Sequence, residues 1–302
     1  MKKIIIAVII IVVLGGIGIY YVMKSPSDTL NVTQDQTATS TSTTGTEQNV
    51  RGGTGATVIG KSSGGRDIIA YTYGTGTTTK LLFVGGIHGG YEWNTVLVAQ
   101  ALADYLKVTP SVIPSNIQVT VIPVLNPDGL VKVVGTTTGN FTSANVSSSQ
   151  EVQISGRFNG NTVDLNRNFD CDWQSTGTWQ STSVSGGDSA FSEPESHAIK
   201  AYVETQKPTA VIVWYSAAGG VFASSCHNGV SSKTRTIMNT FAKASGYPAH
   251  EVFNYYAITG DMTNWLAKEN IPAISVLLTT HDSVEWDKNQ AGIKALFDYY
   301  AK

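Results

Sequence analysis

The sequence predicts an α/β fold in which helices cover both faces of a mostly parallel, mixed sheet. Two observations predict it. Apolar runs of strand length alternate along the chain with segments of helical periodicity. Several of these runs are continuously apolar, which is typical of strands buried on both faces of a sheet. The region expected to fold, residues 57–302, has the size of one α/β domain.

The strands are predicted from apolar runs that end at turn residues. Residues 67–73 (DIIAYTY) alternate between apolar and polar and stop at a glycine, as a half-buried strand does. Residues 80–86 (KLLFVGG) are continuously apolar before two glycines, which indicates a strand covered on both faces. Further buried strands are predicted at 117–125, 210–214 and 273–278.

The helices are predicted from apolar residues at helical spacing and from start signals. Residues 92–108 have apolar positions three and four residues apart. Residues 193–206 follow Ser192, a candidate N-cap, and carry Pro194 in the first turn. Further helices are predicted at 231–245, 261–268 and 287–300. Strands that alternate with helices favour parallel pairing of the strands.

The N-terminus carries an uninterrupted apolar run at residues 4–23. Twenty helical residues at about 1.5 Å each span a hydrocarbon core of about 30 Å. Lys2 and Lys3 precede the run and Lys24 follows it, so the small excess of positive charge places the N-terminus inside the cell. We therefore expect residues 1–24 to be a single-pass membrane anchor. A cleavable signal peptide is the alternative, although its apolar region is usually shorter and ends in small residues.

Residues 25–56 are rich in Ser and Thr and contain almost no large apolar side chains. Such a segment cannot offset the entropy of ordering, which predicts a flexible stalk. The folded domain would then stand outside the cytoplasm, at the cell membrane. The formal net charge is −2 and only 14% of residues are charged, so the basic surface that a nucleic-acid partner requires is absent. We expect a monomer.

Candidate site residues follow the strands, because ligands of open α/β sheets bind beyond the carboxyl ends of the strands. His88 and Glu92 come directly after the strand that ends at Gly86. Imidazole and carboxylate groups are zinc ligands. The pair alone is a weak signal, since a glutamate at a helix start is also stabilised by the helix dipole.

Several motifs, in order, resemble the zinc carboxypeptidase family from Ile59 to the C-terminus. They are IGKSSGGRDIIAYTYG, GGIHGGYEWNT, VLNPDG, TVDLNRNFD, GDSAFSEPES, YYAITGDMTNW and HDSVEWDKNQAGIKAL. The resemblance implies an α/β hydrolase that uses a zinc ion to release the C-terminal residue of a peptide. It implies that His88 and Glu92 are the first two zinc ligands, although three residues separate them here and two do so in the family.

The resemblance also implies residues that bind the peptide. Asn166 and Arg167 match the pair that holds the terminal carboxylate, a task suited to a guanidinium group. Arg157 stands where the family has an arginine that stabilises the oxyanion. Tyr256 matches the mobile phenol that closes over the substrate. Three residues fall where the family lines its side-chain pocket: Asp261, Met262 and Thr263. The acid at Asp261 would favour a basic terminal residue, or it would cap the helix that follows.

Two positions depart from the family pattern. Tyr215 stands where the third ligand, a histidine, is expected, and Leu277 stands where the catalytic glutamate is expected. Three interpretations remain open. In the first, Tyr215 binds the metal as a phenolate and Glu285 acts as the base. In the second, the chain binds peptide C-termini without cutting them. In the third, another histidine completes the site, with His227 and His281 as candidates.

Both cysteines, Cys171 and Cys226, lie in the part of the chain that is predicted to be exported. An oxidising compartment permits a bridge between them, and two free thiols are the alternative. The bridge would hold together two loops of the site. We expect hydrolysis of C-terminal residues from peptides outside the membrane, including cell-wall stem peptides, and a non-catalytic peptide binder is the main alternative.

Overall fold

The computed structural model describes residues 55–302 of the chain. The predicted anchor at 1–24 and all but the last two residues of the predicted stalk lie outside this range. Among residues 55–302, no helix combines the length and apolar character needed to cross a membrane. The first strand begins at Gly55, two residues before the predicted start of the domain.

An eight-stranded mixed sheet forms the centre of the domain. Its strands are β1 (Gly55–Lys61), β2 (Asp67–Tyr73), β3 (Thr79–Val84), β4 (Ile117–Ile122), β7 (Ala210–Ser216), β8 (Gly220–Ala223), β9 (Ala249–His250) and β10 (Ala273–Leu278), and a separate hairpin contains β5 (Thr176–Trp179) and β6 (Thr182–Ser185). The spatial order is β1-β2-β4-β3-β7-β10-β8-β9. The four central strands β4, β3, β7 and β10 are parallel, and β1, β2 and β8 join them in antiparallel pairs.

Helices cover both faces of the sheet. They are α1 (Trp93–Val108), α2 (Pro127–Val134), α3 (Gln150–Ser155), α4 (Pro194–Gln206), α5 (Ser232–Ser245), α6 (Met262–Lys268) and α7 (Trp286–Tyr300). Helices α1, α5 and α7 pack on one face, and α4 and α6 pack on the other. Alternate residues of β7 enter the two cores, with Trp214 on the first face and Tyr215 on the second. The predicted α/β architecture is therefore confirmed.

Some boundaries differ from the sequence predictions. The apolar runs predicted as 80–86 and 117–125 leave the sheet at Val84 and Ile122, and the residues beyond form loops that carry site residues. Helix α4 begins at Pro194 after Glu193 rather than on a Ser192 cap. The Ser192 hydroxyl instead donates to the Glu193 carboxylate at 3.0 Å.

The strand register places the two unusual positions side by side. Leu277 of β10 is the direct partner of Tyr215 in β7, and Val84 of β3 pairs with Val213 of the same strand. Parallel strands end at one edge of the sheet, so the loops after β3, β7 and β10 open into the same space. This edge is where the candidate site lies.

A disulfide joins Cys171 and Cys226, whose Cα atoms are 6.2 Å apart. The bridge confirms the pairing expected from sequence. Cys171 lies four residues after Arg167, and its carbonyl accepts a hydrogen bond from the Gly260 N–H at 2.8 Å. The bridge therefore connects the segment that carries Arg167 to the segment that follows β8.

Candidate functional site

The loop after β3 buries His88 and Glu92 next to each other. Nδ1 of His88 lies 2.9 Å from Oε1 of Glu92. Gly89 adopts a φ of +46°, and a Cβ atom there would lie 2.7 Å from the Gly156 carbonyl oxygen, so the tight loop requires glycine. Carboxylate oxygens approach both ring nitrogens of His88, but among the described residues neither nitrogen, nor Oε2 of Glu92, has a partner with hydrogen-bond geometry. Buried polar atoms of this kind indicate a missing ligand.

Asp164 lies on the other side of His88 and pairs with Arg157. Its Oδ1 is 3.3 Å from His88 Nε2, and its Oδ2 accepts a hydrogen bond from Arg157 Nε at 2.9 Å and lies 2.8 Å from Arg157 Nη2 in an ion pair. Burial alone would raise the pKa of Asp164, but the charges of Arg157 and His88 outweigh it and hold this pKa well below its usual range. The sequence reasoning missed Asp164, although it stands two residues before Asn166 in the same motif.

Arg157 extends from this ion pair towards the cavity. Its Nη1 lies 3.9 Å from Oε1 of Glu92. The guanidinium carbon is 4.5 Å from the ring centroid of Trp179, so the side chain is stacked on one face by an aromatic ring. Asp164 and Trp179 thus hold Arg157 in place, with Nη1 on the side of Glu92.

Arg167 has part of its guanidinium group free. Nε and Nη2 donate to the Thr178 carbonyl at 3.3 and 2.7 Å, and Nη1 donates to the Asn166 carbonyl at 2.7 Å. A guanidinium group carries five N–H donors. Two of them therefore have no partner among residues 55–302, one on each terminal nitrogen. These two donors suit a carboxylate bound by both oxygens.

Asn166 connects three parts of the site. Its Oδ1 accepts hydrogen bonds from the Tyr215 hydroxyl at 3.1 Å and from the Met262 N–H at 3.2 Å. Its Nδ2 makes no hydrogen bond to the described residues and is available to a substrate. Tyr256 lies next to Arg167, with its ring centroid 5.9 Å from the guanidinium carbon.

Tyr215 acts as a hydrogen-bond donor in this structure. Burial, followed by the negative charges of Asp261 and Glu92, raises the pKa of Tyr215 well above its usual value. The phenol is therefore protonated, and it uses its proton in the bond to Asn166. In this structure the Tyr215 hydroxyl orients Asn166, and the binding of a metal by Tyr215 as phenolate stays a prediction.

Glu285 does not reach the site. Its carboxylate accepts hydrogen bonds from the Tyr247 hydroxyl, from the backbone and side chain of Thr279, and from Lys288. Burial would raise the pKa of Glu285, but these donors outweigh it and lower this pKa. Glu285 is bonded to four donors and does not line the cavity, so it stabilises the loop after β10. The prediction of Glu285 as base is wrong.

The two candidate histidines differ in position. His227 is exposed beside the disulfide, where its Nε2 lies 3.0 Å from the Asp172 carboxylate, and it does not line the cavity. His281 follows β10, and its Nδ1 lies 3.1 Å from the Ser216 hydroxyl. Of the two, His281 is the one that the structure brings to the site.

A cavity of about 340 Å³ collects most of the predicted residues. Its lining includes His88, Glu92, Arg157, Asn166, Arg167, Tyr215, Tyr256, Asp261, Thr263 and Leu277. Asp261 caps α6 by accepting the Asn264 N–H at 2.7 Å, and the same oxygen accepts the Thr263 hydroxyl at 2.9 Å. A second cavity shares Glu92, Arg157 and Leu277 with the first and adds Tyr91, Trp179 and His281.

Zinc fits the chemistry of His88 and Glu92. An imidazole nitrogen and a carboxylate oxygen are preferred zinc ligands, and here both are buried with unsatisfied atoms. Asp164 beside His88 completes the usual arrangement in which a carboxylate orients a histidine ligand. Catalytic zinc sites usually have three protein ligands, and the hydroxyl of Tyr215, the predicted third ligand, is bonded to Asn166 in this structure. The described residues thus offer a zinc ion two protein ligands.

Comparison with protein families matches residues 53–300 to the model described as "Zinc carboxypeptidase". A comparison with curated protein sequences gives no match. Among solved structures, a murein-tripeptide amidase from Escherichia coli O157 is 20% identical with a TM-score of 0.58, covering 80% of this chain and 91% of the other. Carboxypeptidase A from Helicoverpa armigera is 21% identical with a TM-score of 0.59, covering 82% and 67%.

A third solved structure, thrombin activatable fibrinolysis inhibitor, is 14% identical with a TM-score of 0.61, covering 82% of this chain and 69% of the other. At these identities the likeness concerns the fold. The fold of the domain therefore has parallels in known structures.

Proposed function

Because the chain belongs to the zinc carboxypeptidase family, we propose that its cavity binds the free C-terminus of a peptide and hydrolyses the last peptide bond. One observation carries the proposal. Buried Arg167, which has two unused N–H donors, lines the same cavity as His88 and Glu92, which have unsatisfied atoms. The terminal carboxylate of a peptide would lie at Arg167, and the adjacent peptide bond would lie at His88 and Glu92.

Each residue has a distinct part in this reaction. Arg167 and the amide of Asn166 would bind the terminal carboxylate and fix the register of the peptide. Nη1 of Arg157 would donate to the oxygen of the scissile carbonyl as negative charge develops there. Burial raises the pKa of Tyr256, although Arg157 and Arg167 oppose the shift, so its phenol stays a donor at neutral pH. A zinc ion held by His88 and Glu92 would act as a Lewis acid on that carbonyl.

The substrate would be a peptide outside the cytoplasm. The disulfide between Cys171 and Cys226 supports an oxidising compartment, and the apolar run at 4–23 supports a tether to the membrane. Cell-wall stem peptides are included in the proposal because one similar fold is that of a murein-tripeptide amidase.

Binding without hydrolysis is the second candidate function. Two features favour it. Leu277, beside Tyr215, has no ionisable group that could transfer a proton, and the metal site offers two protein ligands. The carboxylate-binding residues are the same in both functions. The difference lies only in the chemical step.

The experiment compares peptides that differ only at the C-terminus. The full-length chain, with and without added zinc, is titrated calorimetrically with free-acid and amidated peptides, and the products are analysed by mass spectrometry. We expect binding of the free acids alone, release of the last residue with zinc present, and loss of binding in Arg167→Lys. Arg66→Lys, outside the cavity, is the matched control. Equal binding of amidated peptides would contradict both functions, and binding without cleavage would leave the binder.

A further inference from the structure

His281 belongs to a chain of three side chains behind the cavity. Nδ2 of Asn94 donates to the carbonyls of Thr280 and Ser283 at 2.7 and 3.0 Å, which fixes the orientation of the amide. Its Oδ1 then accepts the proton of the Ser216 hydroxyl at 3.1 Å. A hydroxyl has one proton, so Ser216 Oγ must accept its other hydrogen bond.

The donor of that second bond is Nδ1 of His281, at 3.1 Å from Ser216 Oγ. The network therefore assigns the neutral imidazole with its proton on Nδ1 and a lone pair on Nε2. Nε2 makes no hydrogen bond to residues 55–302, and it is not among their fully buried, unsatisfied atoms. The ring packs against Tyr91, with centroids 4.8 Å apart, which holds its plane.

His281 lines the part of the site where the proposed reaction lacks a proton carrier. His281 lines the second cavity together with Glu92, Arg157 and Leu277, which also line the first. These shared residues mark the position of the scissile bond in the proposed reaction. Leu277 cannot accept a proton, and Glu92 is assigned to the metal. Burial lowers the pKa of His281, although Glu92 and Asp282 oppose it, so the ring is neutral at neutral pH.

We propose that His281, oriented by Ser216 and Asn94, transfers the protons of the hydrolytic reaction in place of a carboxylate at position 277. The inference rests on the proposed hydrolytic function. As the oxygen of water forms its bond to the carbonyl carbon, the C=O π electrons move to the carbonyl oxygen, one O–H bond of the water breaks and its proton moves to Nε2. As the C=O double bond re-forms, the C–N bond breaks, its electron pair goes to nitrogen and Nε2–H returns the proton to the leaving amine. One water is consumed, and the imidazole ends neutral.

The first test separates proton transfer from substrate binding. In His281→Asn the new amide retains a donor near Ser216 but lacks Nε2. We expect kcat to fall about 10²- to 10⁴-fold, the peptide dissociation constant to change less than about threefold, and added imidazole to restore part of kcat. His197→Asn, exposed on α4, is the matched control and should keep native kcat. Undiminished kcat in a folded His281→Asn would overturn the inference and leave the hydrolase intact.

The second test requires no turnover. Nitrogen NMR of the full-length chain with labelled histidine distinguishes the two neutral tautomers. We expect Nδ1–H for His281 and a loss of this preference in Ser216→Ala. A ring protonated on Nε2 would overturn the inference. If the native chain binds peptides but never cleaves them, the proposed hydrolysis fails and the role of His281 with it, and this outcome is distinct from cleavage that ignores His281.

Discussion

The Nε2 atom of His88 lies 3.3 Å from Oδ1 of Asp164, while Nδ1 of the same ring faces Glu92 at 2.9 Å. The buried imidazole is thus held between two carboxylates, and Arg157 neutralises the first of them. Because Asp164 lies at Nε2, the ring nitrogen available to a metal is Nδ1, on the side of Glu92. This arrangement also makes Asp164 the residue on which both His88 and Arg157 depend.

Asp164→Asn should therefore weaken metal binding and stability together. We expect zinc affinity to fall about 10- to 100-fold, as for other partners of metal-bound histidines. The unfolding free energy should fall by about 3 kcal/mol, because Arg157 would remain buried without its anion. Calorimetric zinc titration and urea unfolding measure the two effects. Asp170→Asn, which removes an exposed partner of Lys268, is the control and should change neither. Unchanged zinc affinity would contradict the orienting role.

The pairing of Tyr215 with Leu277 makes both missing groups accessible to one double substitution. Tyr215→His with Leu277→Glu should raise zinc affinity at least about 100-fold, since even residues that only orient a ligand contribute about 10- to 100-fold. In a His281→Asn background, which lacks the proposed proton carrier, the new carboxylate should raise kcat by about 10²- to 10⁴-fold. Zinc content after dialysis and release of the terminal residue are the measurements.

Tyr215→Phe serves as the control for this double substitution, because it removes the hydroxyl bond to Asn166 without adding a ligand. It should leave zinc affinity unchanged and weaken peptide binding slightly. A double variant that gains neither zinc nor activity would show that the backbone at these strand ends no longer matches a three-ligand site.

Loss of the disulfide should destabilise the domain through the unfolded state. The bridge closes a loop of 55 residues, for which the chain-entropy estimate is about 4 kcal/mol. We expect Cys171→Ser with Cys226→Ser to lower the unfolding free energy by that order in urea under oxidising conditions. A reducing agent should have the same effect on the native chain and none on the double variant. An unaffected native chain under reduction would contradict the prediction.

Asp128 should control part of the stability at acid pH. Burial would raise its pKa, but hydrogen bonds from Ser62, Gly64 and Arg66 outweigh burial and lower it. A carboxylate with a lowered pKa in the folded state contributes stability above its unfolded pKa, near 4, and this contribution is lost as pH falls through the folded value. Asp128→Asn should therefore be less stable at pH 7 and should show a flatter loss of stability below pH 4.

Urea midpoints between pH 2 and 7 test this prediction. Asp298→Asn, exposed on α7, is the matched control and should retain the native acid profile. An Asp128→Asn profile parallel to that of the native chain would contradict it.

The sequence predicts the fold well where one local rule applies. The alternation of residues 67–73 matches β2 to the residue, and the helix predicted at 231–245 differs from α5 by one residue. The prediction fails where a side chain bonded to the backbone starts an element. Helix α2 is not predicted because the residues at its start, Asn-Pro-Asp-Gly, are typical of a turn. In the structure the Asn126 side chain accepts the Gly129 N–H at 2.7 Å and thereby starts a helix.

For the site, motif order identifies the residues that line one cavity but not the bonds among them. Nothing in the spacing shows that Tyr215 donates to Asn166, or that Asp164 lies beside His88, since both contacts join distant segments. Glu285 was plausible because its loop follows β10 at the correct edge. Its four donors come from that loop, from α7 and from the segment that follows α5, and only the folded chain brings them together.

Asp261 has one carboxylate oxygen committed to structure and one available. Oδ1 caps α6 and accepts the Thr263 hydroxyl, whereas Oδ2 makes no hydrogen bond to residues 55–302. Asp261 lines the cavity that also contains Arg167. Asparagine caps helices as well as aspartate does, so Asp261→Asn should change the unfolding free energy by less than about 0.5 kcal/mol. It should reduce the preference for peptides ending in Lys over Leu by about tenfold, the order expected for one charge-assisted hydrogen bond. Competition between the two peptides for the full-length chain measures this preference, and a preference that survives Asp261→Asn would assign the residue to helix capping alone.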